Sequence, residues 1–205
     1  MLHTTLDKLP LIAILRGVTP DEVEAIGDGL YAAGFRVIEV PLNSPSALES
    51  ITRLARKLPD DALVGAGTVL DPEAVSDVQH AGGRVIVMPH ADTAVIQSAK
   101  DHGMVCVPGI ATPTEAFAAL RAGADALKLF PAELVSPAAL KAMRAVLPRH
   151  LRLLPVGGIT PDTMAEYRKA GASGFGLGSA LYSPGASPSD VASRAHAFVQ
   201  AWTSL

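Results

Sequence analysis

Four polar side chains sit at the downstream ends of short apolar runs: Arg16 in "IAILRG", Glu39 in "VIEVPLN", Thr68 in "GAGTVL" and Lys128 in "ALKLFPAE". Lys128 is the most unusual of them. Leu127, Leu129 and Phe130 read as a buried strand, and an ammonium buried there without a partner costs several kcal/mol or gives up its proton. A lysine so desolvated, with an acid nearby, is a nucleophilic amine. Side chains alternate across a strand. If Leu127 and Leu129 face one way, Lys128 faces the other. The same parity sets Glu39 against Ile38 and Val40, and Arg16 against Leu15. One acid and two bases would then converge on one place. The competing reading makes each an ordinary strand-end charge whose head reaches water. Three such residues on different strands, all of one parity, favour convergence.

Convergence needs a frame, and the chain repeats one unit: an apolar run, a turn with Gly or Pro, then a helical pattern. The runs span 9–15, 35–40, 62–67, 84–89, 104–109, 125–130, 151–156 and 173–178. Between them apolar residues recur at helical spacing, as with Val23, Ile26, Leu30 and Ala33. "TPDE" (19–22), "SPSA" (44–47), "DPEA" (71–74), "TPTE" (112–115), "SPAA" (136–139), "TPDT" (160–163) and "SPSD" (187–190) each place a capping residue before a proline at a predicted first helical position. Gly34, Gly82, Gly103, Gly123 and Gly171 mark predicted helix ends. Strands apolar on both faces and alternating with helices imply a parallel sheet covered by helices. Eight such units predict an α/β chain folded as one (β/α)8 barrel over residues 1–205. A doubly wound open sheet is the alternative, and eight units rather than five or six favour closure.

In such a barrel catalysis belongs at the C-terminal ends of the strands, and phosphate binds in the loops after strands seven and eight. "PVGGITP" (155–161) and "GLGSAL" (176–181) put glycines in both of those loops. "GFGLGS" lacks the third glycine of a dinucleotide fingerprint. The six histidines, His3, His80, His90, His102, His150 and His196, show no metal-ligand spacing, and only His90, just after strand four, falls near the expected mouth. Cys106 is the single cysteine, which excludes an internal disulfide, and its apolar run predicts a core position. A net charge of −3 without a basic block, and only 4% aromatic residues, argue against a nucleic-acid partner. The N-terminus lacks a basic region followed by a long apolar stretch, and no apolar run approaches a membrane span. A cytoplasmic protein is expected.

"LPLIAILRGVTPDE", "VIEVPLNSP", "GAGTVLDPE", "GIATPTEAFAALRAGADALKLFPAE" and "PVGGITPD" closely resemble the bacterial 2-keto-3-deoxy-6-phosphogluconate/galactonate aldolases, over nearly the whole chain. The resemblance implies a homotrimeric (β/α)8 barrel that needs no metal or other cofactor. It implies cleavage of a phosphorylated keto-deoxy sugar acid to pyruvate and D-glyceraldehyde 3-phosphate through a Schiff base. By the same resemblance Lys128 in "KLFPAE" is the imine-forming lysine, and Glu39 in "IEVPL" is the general acid/base. Thr68 in "GAGTV" lies beside the pyruvyl carboxylate, and Gly158, Gly178 and Ser179 belong to the phosphate loops. In the gluconate branch an arginine just after strand two holds the carboxylate. Here that position is Asn43, while Arg16 in "ILRG" is as in the galactonate branch. The gluconate branch also carries threonine before the glycine pair, where this chain has Val156. The galactonate substrate is therefore expected, with the gluconate epimer, another sugar-phosphate enzyme of this fold, or a non-catalytic sugar-phosphate-binding barrel as the rivals.

Overall fold

The computed structural model describes residues 2–205. Nine strand segments run in parallel: β1 (Leu11–Ile14), β2 (Val37–Pro41), β3 (Leu63–Gly67), β4 (Val85–Val87), β5 (Val105–Val107), β6 (Gly109–Ile110), β7 (Leu127–Leu129), β8 (Leu153–Pro155) and β9 (Phe175–Leu177). They pair as a sheet in the order β5-β4-β3-β2-β1-β9 and a second in the order β6-β7-β8. The ring closes at two seams. At the first, Pro108 splits what the sequence read as one run into β5 and β6, because proline has no N–H to offer a ladder. At the second, Val156 bridges to Gly176 and the Ser173 N–H donates to the Leu153 carbonyl at 2.8 Å. The result is the expected (β/α)8 barrel of eight strand positions, β5 and β6 sharing one.

The strands bury both faces. Ile12, Val37, Leu63, Val85, Val87, Val105, Val107, Ala126 and Leu154 fill the barrel interior, while Ala13, Leu15, Ile38, Val40, Leu127 and Leu129 pack outward in the larger core shared with the helices. This division carries the parity argument. Lys128 and Glu39 each lie between two outward-facing neighbours and so face the interior.

The helices are α1 (Leu2–Lys8), α2 (Pro20–Ala32), α3 (Ala47–Lys57), α4 (Glu73–His80), α5 (Thr93–Asp101), α6 (Pro113–Arg121), α7 (Pro137–Arg144), α8 (Met164–Ala170) and α9 (Pro188–Thr203). Short α1 was not foreseen. Its Leu2 and Leu6 join the interior cluster, so it plugs the end of the barrel opposite the strand C-termini. The capping motifs predict the first residue of α2, α6, α7 and α9. The other three helices start later than predicted, for identifiable reasons. Ser44 is buried and its Oγ accepts from the Gly17 N–H, so it cannot cap α3. Pro72 precedes α4 as its cap residue, already in helical conformation. Thr160 and Thr163 close a turn of their own, with the Thr160 N–H donating to Thr163 Oγ1 at 3.0 Å before α8 begins. All five predicted helix-end glycines adopt positive φ, from 68° at Gly103 to 109° at Gly171.

Cys106 faces outward into the core, where burial pushes its thiol up to about 12. Among the described residues no helix is long and apolar enough to cross a membrane. On α3, Ser50 is fully buried and its Oγ has no hydrogen-bond partner. An unpaired buried hydroxyl costs on the order of 1 kcal/mol or more. Ser50→Ala is therefore expected to raise the melting temperature by about 2–4 °C, as thermal unfolding would show; a lower value would mean the hydroxyl is satisfied in solution.

Candidate active site

The ring order puts the predicted residues in two groups. Arg16, Glu39 and Thr68 come from three consecutive strand positions, β1, β2 and β3. Lys128 lies on β7, diametrically across the barrel from Glu39. β8 and β9 close the ring between Lys128 and Arg16, and the two glycine-bearing loops follow them.

Arg16 is exposed at the rim. Its guanidinium donates to Asn43 Oδ1 at 2.6 Å and to Thr68 Oγ1 at 3.2 Å, across the ends of β1, β2 and β3. Thr68 holds this position with a left-handed backbone, φ 54°, a conformation that costs a β-branched residue energy and that concentrates at functional sites. Glu39 lies below them, 1% exposed. Its carboxyl rests on the backbone of Gly67, where any Cβ would overlap it, and its Oε2 is buried without a partner. Burial raises its pKa to about 7, against the opposing attraction of Lys128 and then Arg16. Lys128 is 4% exposed. Burial lowers its pKa, Arg16 adds to the lowering, and Glu39 partly offsets both. The two are not in direct ionic contact. The Lys128 ammonium instead sits 4.5 Å from the centroid of the Phe130 ring.

One cleft of about 320 Å³ opens at the C-terminal end of the barrel, and its wall includes Arg16, Lys128, Val156, Gly158, Gly178 and Ser179. Six of the eight predicted site residues thus line one space. Glu39 and Thr68 are not in its wall; Glu39 reaches it through the charges of Lys128 and Arg16, and Thr68 through its hydrogen bond to Arg16. His90 is exposed and is not part of the wall. Ile14 and Phe130 do line the cleft. Both stand two residues from a predicted site residue, so strand alternation alone would have found them.

The glycine loops are shaped for close approach. Gly157 and Gly158 have φ of 111° and 61°, and a Cβ at Gly157 would overlap the Glu133 carboxylate. A Cβ on Gly178 would meet nothing within 4 Å, so this glycine keeps the cleft open rather than permitting tight packing. Neither loop runs straight into a helix. Thr160 to Thr163 and Gly178 to Tyr182 form turns, so turn backbone and Ser179, rather than a helix terminus, line this side of the cleft. Among the described residues no cluster of three or more His, Cys, Asp or Glu could hold a metal ion.

A desolvated lysine, a buried carboxyl across the barrel from it and two glycine-bearing loops are thus gathered at one end of the barrel. Residues 2–193 match the family model for KDPG and KHG aldolase. The chain belongs to that family. Its members are aldolases, which are carbon–carbon lyases. The chain is 49% identical over 195 residues to the 2-dehydro-3-deoxy-6-phosphogalactonate aldolase of Escherichia coli K12, covering 95% of each. It is 35% identical over 160 residues to the 2-dehydro-3-deoxy-phosphogluconate aldolase of Pseudomonas aeruginosa PAO1, covering 78% of this chain and 70% of that one. A solved structure described as native KDPGal superposes with a TM-score of 0.94 at 48% identity, covering 96% of both chains.

Proposed function

We propose that the chain is a Schiff-base aldolase that cleaves 2-dehydro-3-deoxy-6-phospho-D-galactonate to pyruvate and D-glyceraldehyde 3-phosphate. The observation that carries this reading is Lys128: a lysine 4% exposed, its pKa lowered by burial, at the wall of a cleft shared with the two glycine loops. Its neutral amine attacks the C2 carbonyl, and loss of water leaves a protonated imine. Glu39, as carboxylate, takes the C4 hydroxyl proton, directly or through water. The C3–C4 bond breaks, its electron pair passes into the imine to form an enamine, and the aldehyde departs. Glu39 returns the proton to C3, and water hydrolyses the imine to pyruvate and the free amine. A pKa of about 7 suits a group that must serve as both base and acid. Arg16 can hold the substrate carboxylate with both nitrogens, with Thr68 beside it, a geometry no lysine could match. Gly158, Gly178 and Ser179 receive the phosphate.

A metabolic lyase with a phosphorylated substrate acts where that substrate is made, which supports a cytoplasmic location. A homotrimer is proposed from the family resemblance. Exposed apolar side chains such as Val146, 57% exposed, are the kind an assembly would cover. Release of pyruvate from the pure galactonate substrate, read by a coupled assay, tests the function directly. Binding without turnover would favour the non-catalytic reading.

Preference between the epimers turns on Val156. The two substrates differ in the orientation of the C4 hydroxyl, and Val156 lines the cleft at the end of β8, between Lys128 and Gly158. Valine offers no hydrogen bond where a threonine would offer one. Val156→Thr is expected to shift the ratio of kcat/KM values toward the gluconate epimer by several-fold to about tenfold, equivalent to about 1.4 kcal/mol. An unchanged ratio would move discrimination to Arg16 and Asn43.

A further inference from the structure

The loop after β9 is tied to the loop after β1 by a pair of residues outside the cleft. Tyr182 is 2% exposed, its ring packed in the main core, yet its hydroxyl donates to Glu22 Oε1 at 2.8 Å. The same oxygen accepts the Thr19 N–H at 2.9 Å, so Glu22, in the first turn of α2, spans from the phosphate-side loop to the loop that carries Arg16. Tyr182 is also rigidly linked to the residues proposed to meet the phosphate. The N–H groups of Leu181 and Tyr182 both donate to the Gly178 carbonyl, at 2.8 and 2.9 Å. A second contact joins the same two loops. Gly17, at φ +82°, lies so close to Pro184 that a Cβ would fall 2.7 Å from Pro184 Cγ. The Gly17 N–H in turn donates to Ser44 Oγ at 2.9 Å, in the loop whose Asn43 accepts from Arg16.

We propose that Tyr182, acting through Glu22, is a positioning residue that sets the spacing between the Gly178–Ser179 turn and Arg16, and so the separation of the two anionic ends of the substrate that the cleft accepts. The proposal rests on the reading that the cleft takes a substrate with a carboxylate at one end and a phosphate at the other. A span of fixed length matters because the cleft holds its ligand at three points: imine, carboxylate and phosphate. Once the lysine is bonded to C2, a drift of the phosphate turn can be absorbed only by losing hydrogen bonds at one end. Pyruvate alone has no phosphate, so its chemistry at Lys128 and Glu39 is insensitive to that drift.

The test is Tyr182→Phe, which keeps the ring in the core and removes only the hydroxyl. KM and kcat for the phosphorylated substrate, deuterium exchange into the methyl group of pyruvate, and the affinity for inorganic phosphate by calorimetry are to be measured. The expected result is a roughly five- to tenfold rise in KM, with pyruvate exchange and inorganic-phosphate affinity both unchanged, because neither ligand spans the two ends of the cleft. Glu22→Gln, which retains an acceptor oxygen for both donors, should stay near the parent values. Unchanged KM in Tyr182→Phe would overturn the proposal, as would a parallel fall in pyruvate exchange or in inorganic-phosphate affinity, the mark of a general loosening. A parent protein that binds phosphate but neither exchanges pyruvate nor cleaves the sugar acid would refute the aldolase reading instead, and the affinities of parent and Tyr182→Phe for the uncleaved sugar acid, which carries both anionic ends, would still judge Tyr182.

Discussion

Lys128→Met is expected to abolish cleavage, with a loss of about 10⁴-fold or more, the scale seen when a covalent nucleophile is removed. Methionine fills nearly the same apolar space beside Phe130, so the fold should survive and the loss can be read as chemistry. Borohydride added with pyruvate should reduce the imine of the parent protein and leave a carboxyethyl group on the peptide containing Lys128; the variant should take up none. Burial lowers the Lys128 pKa below its ordinary 10.5, so more of it is free amine at neutral pH than of a surface lysine. Trapping should therefore rise with pH and level off below the pH at which exposed lysines begin to react. Labelling that persists in Lys128→Met would place the imine on another lysine.

Much of the site was legible because a parallel barrel strand is buried on both faces, which makes any charge within it conspicuous. Lys128 and Glu39 stood out for that reason, and alternation then gave their direction. The features that escaped depend on contacts between segments distant in sequence. Helix α1 offers only Leu2 and Leu6 as an apolar pair, too short a pattern to distinguish, and its role depends on the open barrel end beneath it. Ser44 looks like a helix cap until Gly17, 27 residues away, claims its hydroxyl. The break at Pro108 follows from proline chemistry, yet the run around it is apolar throughout and hides the interruption. Glu22 reads locally as part of a capping box, which it is; its second partner, Tyr182, lies 160 residues further on, and no local pattern announces it.

Glu39→Gln is expected to lower the cleavage rate by about 10²–10⁴-fold, the usual contribution of a positioned acid/base. The substitution separates proton transfer from imine formation. The variant should still trap pyruvate on Lys128 under borohydride while losing deuterium exchange at the pyruvate methyl group, because only the latter needs a group that takes and returns the C3 proton. Near-normal exchange would assign that work elsewhere. The parent's kcat/KM should climb through about pH 7 as Glu39 ionises and becomes able to accept the C4 hydroxyl proton, and the variant should lack that rise. Stability supplies an independent reading with the opposite sense. The folded-state pKa of Glu39 is raised from 4.5 to about 7, so the native state binds more protons than the unfolded chain between those values. Its contribution is then most favourable below about pH 4.5 and is lost as pH rises through about 7. At 1.36 kcal/mol per unit the loss is on the order of 3 kcal/mol. A neutral glutamine bears no such cost. Denaturant titrations should find Glu39→Gln more stable than the parent above about pH 7 and the advantage gone near pH 4.5. If the two proteins instead keep a constant difference across that range, Glu39 is ionised in the folded state at every pH tested, and Lys128 stabilises its charge more strongly than burial penalises it.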